Sequence, residues 1–136
     1  MKTNELMIGD WVLCPQPFNN WHRVTAIDGL DNEVETTSDL YDAGDISPIR
    51  LTPEILEKNG FEKLDFSHYH INNRALVLDA DGKWEGPLSW HWVVTEMSTN
   101  AKGQPVVLDY YVATINYVHE LQHALRLCGI EKEIEL

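Results

Sequence analysis

Asn116-Tyr117-Val118-His119-Glu120-Leu121-Gln122-His123-Ala124-Leu125-Arg126-Leu127-Cys128-Gly129-Ile130 is the only long stretch of the chain with a clean helical period. At about 100° per residue, Val118, Leu121, Ala124, Leu125 and Cys128 fall in one broad stripe centred near Leu121, the side expected to face a core. Asn116 is expected to cap the first free amides. Gly129 suits the left-handed residue past the end, with Ile130 reaching back to Leu125. On the same wheel His119 and His123 lie roughly 160° from the stripe's centre, which predicts two imidazoles projecting into solvent from the back of the helix, with Glu120 to one side.

Working outward, residues 62–113 read as strands. Leu64 and Phe66 alternate with Lys63 and Asp65, and Arg74 to Asp79 is a short apolar run. Asp79-Ala80-Asp81-Gly82 reads as a tight turn, Trp90 to Met97 as an apolar strand and Asn100 to Gly103 as a turn. Gln104 to Ala113 is then a strand with Val106, Leu108, Tyr110 and Val112 on one face. Before this meander, Thr52 can cap a short helix that opens on Pro53 and Glu54, buries Ile55 and Leu56, and stops at Gly60 with Phe61 folded back on Leu56. Residues 1–51 give short strands at Trp11–Leu13, Arg23–Ile27, Glu33–Thr37 and Asp45–Ile49. A polar loop over Ser38–Gly44 is expected before the last of these, and Pro48 argues for an edge.

The fold class expected is α+β: an N-terminal half like a small SH3-like barrel (1–51), a short capped helix, and an antiparallel sheet with the amphipathic helix packed on it (52–136). A boundary, if the chain has one, falls near Leu51. Otherwise the two halves form one continuous domain.

A chain of 136 residues, 43% of them hydrophobic, has material for a real core. No apolar run is long enough for a signal peptide or a membrane helix, so an unsecreted, cytoplasmic protein without membrane attachment is expected. Cys14 and Cys128 lack C-x-x-C spacing and fit reduced thiols. The 22 acids against 10 bases, a net charge of −12, repel phosphate backbones, which turns the expectation from nucleic acid toward a protein partner.

Three stretches carry a resemblance. They are Asn4-Glu5-Leu6-x-Ile8-Gly9-Asp10-Trp11-Val12, Pro48-Ile49-x-Leu51-Thr52-Pro53-Glu54-Ile55-Leu56-Glu57-Lys58-Asn59-Gly60-Phe61, and Tyr117-Val118-His119-x-Leu121-Gln122. On these the chain resembles a group of small uncharacterised proteins of the Bacteroides type, associated with phage or mobile elements. The resemblance covers both ends and leaves most of 62–113 outside. It implies no activity, and the helix pattern, Y-x-H-x-L-Q, includes neither Glu120 nor His123.

The strongest chemical signal is H-E-x-x-H. Its spacing brings His119 and His123 to one side of a helix as zinc ligands, with Glu120 as the general base of a metallopeptidase-like hydrolase. His68 or His70, alternate residues of a strand, would have to supply a third ligand. Against this, the metzincin extension would need Gly at Arg126 and His at Gly129, and little chain follows for a second ligand-bearing helix. Asp79-x-Asp81-Gly82 fails as a calcium loop, because Val77 and Leu88 would take liganding positions. Trp84, Trp90 and Trp92 suit either core packing or a protein-binding surface. The leading expectation is a non-catalytic binding or accessory module with a protein partner and no cofactor. Its rival is a zinc-dependent hydrolase using His119, Glu120 and His123.

Overall fold

β-Branched and aromatic residues at alternate positions draw much of the chain into nine strands among the described residues, and two antiparallel sheets result. The computed structural model describes residues 1–15, 20–81 and 89–136. The first sheet has the order β1 (Trp11–Cys14), β2 (Asn20–Asp28), β3 (Glu33–Thr36) and β4 (Leu40–Asp42). β2 pairs with β1 through its first half and with β3 through its second, and a bulge between Val24 and Ala26 bends it into a half-barrel. The expected polar loop at Ser38–Gly44 is corrected here. Leu40–Asp42 pairs with β3, and a 3₁₀ turn follows at Ala43–Asp45. The expected strand at Asp45–Ile49 reduces to a single bridge between Ser47 and Leu13.

Helix α1 (Pro53–Lys58) starts and stops as its residues dictate. Thr52 Oγ1 accepts from the Ile55 amide, Gly60 takes a φ of 84°, and Phe61 N donates to Leu56 O at 3.0 Å. The second sheet follows, in the order β5 (Glu62–Lys63), β6 (His68–Ile71), β7 (Leu76–Asp81), β8 (Ser89–Thr99), β9 (Pro105–Thr114). Leu64 and Phe66 lie outside the strands, and Phe66 is exposed. Asp79 and Asp81 belong to β7 rather than to a turn. Gly82 lies outside the described residues. Helix α2 (Val118–Leu127) lays its apolar stripe on this sheet, where Val118, Leu121, Ala124 and Leu125 join Leu76, Leu78, Tyr69 and Trp90 in the larger core. Among the described residues no helix is long and apolar enough to cross a membrane.

A second, smaller core of Leu6, Val12, Cys14, Val24, Val34, Ala43 and Ile46 fills the half-barrel. β1 separates the two cores. Strand alternation sends Val12 and Cys14 into the small core while Trp11 and Leu13 pack against the large one. The C-terminal tail ties these parts together. Trp11 Nε1 donates to Ile134 O at 2.7 Å, and Ile134 is itself buried. Fully buried Asn59 donates from Nδ2 to Ile55 O and Glu135 O and accepts from Glu135 N at 2.7 Å.

Removing that carboxamide strands buried backbone groups in α1 and in the tail. Asn59→Ala is expected to lower the unfolding free energy by about 2–3 kcal/mol, read from urea denaturation. A change within about 0.5 kcal/mol would show that the tail is not held there.

Candidate functional site

The back of α2 is largely covered by the N-terminal half, contrary to the wheel: His119 is buried and His123 only partly exposed. Gln122 is the fastener: its Oε1 accepts from Trp11 N at 2.9 Å and its Nε2 donates to Gly9 O at 3.0 Å. Gly9 has a φ of 93°, and a Cβ there would stand 3.3 Å from Arg126 Nη2, so both the turn and the close approach call for glycine. Asp10, 0% exposed, accepts from the Met7 amide and from His123 Nε2 at 2.8 Å. Its second oxygen, Oδ1, makes no hydrogen bond among the described residues and lies 3.7 Å from Arg126 Nη1.

His119 is 5% exposed and stacks on Tyr117, and its Nδ1 makes no hydrogen bond among the described residues. Burial pushes its pKa below the ordinary 6.5, and the His123 ring opposes its charge as well. Asp10, Glu120 and Glu5 pull the other way. With His123, Tyr117, Glu120, Met7 and Glu5 it lines an open cleft of about 460 Å³. Asn116 does not cap the helix. Its Oδ1 accepts from Ser89 Oγ and Trp90 N, and the cap is closed instead by Glu120, whose Oε1 accepts from the Asn116 and Tyr117 amides at 3.0 and 3.1 Å.

That arrangement does not fit a zinc-hydrolase site. The carboxylate that would serve as base is engaged in the cap, and the Nε2 of His123 turns to Asp10. Among the described residues no group of three His, Cys, Asp or Glu is placed to hold a metal ion. His68 and His70 lie on β6, an inner strand of the second sheet. His68 Nδ1 contacts Asp65 at 2.9 Å, and His70 Nε2 lies 3.7 Å from Glu62. The Ser67 amide, with His68 beside it, holds the Asp65 carboxyl down to about 2.

Of the tryptophans, Trp90 is core. It is fully buried, its Nε1 donates to Leu51 O, and it meets Tyr69 edge-on. Trp92 is half-buried against the same cluster, and Trp84 lies outside the described residues. The exposed apolar surface lies further along the same two strands. β7 pairs with β8 only from Ser89 to Val93, whereas β9 follows β8 out to Thr99. Residues 94–99 and 105–110 therefore leave the sheet as a two-stranded ribbon. It carries Val94, Met97 (67% exposed), Val107 (59%), Leu108 and Tyr110, with Tyr111 (65%) at its base. Sequence reading placed Val106, Leu108, Tyr110 and Val112 on one face of this strand. What it missed is that nothing in the described chain covers that face, because the helix that could do so is packed over the other end of the sheet.

Comparison with protein-family models, with curated proteins and with solved structures finds no match to the chain.

Two outcomes follow for the helix. Glu120→Ala is expected to cost about 1 kcal/mol of stability through loss of the cap, measured by urea unfolding. Neutral His119 favours the folded state above its ordinary value of 6.5, and this contribution is lost as pH falls below it. The urea midpoint of the wild type should therefore drop from about pH 7 to about pH 5 more than that of His119→Phe, which cannot take up a proton. Parallel curves would assign the dependence to other groups.

Proposed function

We propose that the chain is a small non-catalytic binding module that takes a protein partner on the ribbon formed by β8 and β9. The observation that carries this reading is the ribbon's exposed apolar surface, which continues a strand, β8, whose other end locks Trp90 and Val93 in the core. Contiguous exposed apolar surface with polar residues around it is characteristic of protein-binding sites. A polyanionic partner is disfavoured by the net charge of −12.

The cytoplasm is the compartment this reading assigns, supported by two unpaired cysteines, of which Cys14 is buried and has its thiol pushed up by burial. The resemblance to the Bacteroides-type, mobile-element-associated proteins belongs to the same proposal. Residues that carry it meet in space: Gly9 and Trp11 of the first stretch hydrogen-bond Gln122 of the third, and Ile49 O of the second accepts from Val118 N of the third at 2.8 Å. They support a shared framework, whereas the ribbon lies in the part of the chain that the resemblance leaves uncovered.

An extended peptide is the simplest mimic of a partner strand. Peptides selected on the wild-type chain from an unbiased display library are expected to be extended and apolar. They should lose at least about tenfold in affinity for a Val94→Lys, Tyr110→Lys double variant. Recovery of no peptides, or of peptides that bind both proteins equally, would sink the reading.

A further inference from the structure

Among the described residues the second sheet ends with β9, so this strand is an edge with no described neighbour on its far side. Natural edges are blunted with lysine, proline, bulges or inward charges. β9 has neither Lys nor Arg, its only charge is Asp109, and its proline is the first residue, where it interrupts nothing. Its bulge, where Tyr111 and Ala113 pair with consecutive residues of β8, lies at Val112 and leaves Pro105–Tyr111 as a regular run. Beyond β7, moreover, the ribbon has two strands only, an arrangement that is marginal in water without a third.

We infer that the occupant of this edge is a second copy of this chain, whose β9 adds antiparallel to the first about a twofold axis at Leu108. The inference rests on the proposed binding role of the ribbon and names its first partner.

Charge confines a second copy to this place. A second copy brings another net −12, so two copies can touch only where both are nearly uncharged. Residues 89–114 are that place, holding two acids, Glu96 and Asp109, against one base, Lys102. A basic partner would find few counter-charges there and many elsewhere.

The register also suits a copy. In a twofold antiparallel pair, one residue meets itself and its neighbours meet in mirror order. Centred on Leu108, the whole regular run is used. Leu108 lies opposite Leu108, Val106 opposite Tyr110, and Val107 opposite Asp109 of the second copy. Centring on Asp109 would set two carboxylates against each other, and centring on Tyr110 or later would run the pair into the bulge. The Val106, Leu108 and Tyr110 side chains of both copies then line one continuous face of a four-stranded ribbon. Because the contact is the same patch on both sides, it closes at two copies.

Sedimentation equilibrium of the full chain tests this. At tens of micromolar the wild type is expected at twice the chain mass, dissociating on dilution. Leu108→Lys and Leu108→Glu each place like charges opposite one another and should weaken association by about tenfold or more, while an equimolar mixture of the two variants should restore the dimer. Val107→Lys, which meets Asp109 of the other copy, should tighten it, and this arm stands even if the Leu108 variants fail to fold. A monomeric wild type, a dimer indifferent to these changes, or a mass climbing past two copies would overturn the inference. If a monomeric wild type still selects apolar peptides that Val94→Lys, Tyr110→Lys rejects, only the second copy is lost. If the peptides fail too, the binding role falls with it.

Discussion

The carboxamide of Gln122 is the constraint on which the two halves depend. It satisfies one donor and one acceptor of the Gly9–Trp11 backbone, which would otherwise be unpaired at the junction between half-barrel and helix. Asp10, Gly9 and Arg126 can only be where they are because that bond sets the approach of the loop to the helix. Asp10 is the more exacting of these, since a buried carboxylate is tolerated only when charged and hydrogen-bonding partners surround it, and His123, Arg126 and the Met7 amide do so. The junction is therefore polar and specific, while the apolar stripe of α2 supplies the bulk of its burial on the other side.

A helix held on two sides spends most of its side chains on packing. His119, Glu120 and His123 are each drawn into structural work: a buried ring stacked on Tyr117, a cap and a partner for Asp10. The chain's unspent surface lies at the far end of the second sheet. There β8 changes character along its length, from Trp90 locked in the core to Met97 in solvent, because β7 is short and stops supporting it after Val93. The difference in strand length, rather than any change in residue type, turns a core strand into an exposed ribbon.

Much of this architecture was legible in the chain. Thr52-Pro53 and Gly60-Phe61 bound a helix by local chemistry, Gly129 and Ile130 end another, and strand alternation separates Val12 and Cys14 from Trp11 and Leu13. The misreadings share one cause. Asn116 is a good cap by type, but its side chain is taken by Ser89 and Trp90, and Glu120 supplies the cap instead. Leu40–Asp42 looks like a loop because its strand character comes from pairing with β3, which no local pattern records. The His68–Ile71 strand is inner because two residues, Glu62 and Lys63, add one more short strand outside it.

By itself the sequence determined what each segment can do alone: the α+β class, both helix stops, the core stripe of α2 and the excess of negative charge. Periodicity and capping are local properties, so neighbouring residues encode them. Which side of α2 is wet was decided only by the packing of segments more than a hundred residues apart, and which strand stands last in the second sheet only by the pairing of strands within it. A helical wheel distinguishes apolar from polar, yet a polar side can be buried whenever another segment offers it hydrogen bonds, as the Gly9 and Trp11 backbone does for Gln122 and the Asp10 carboxylate for His123.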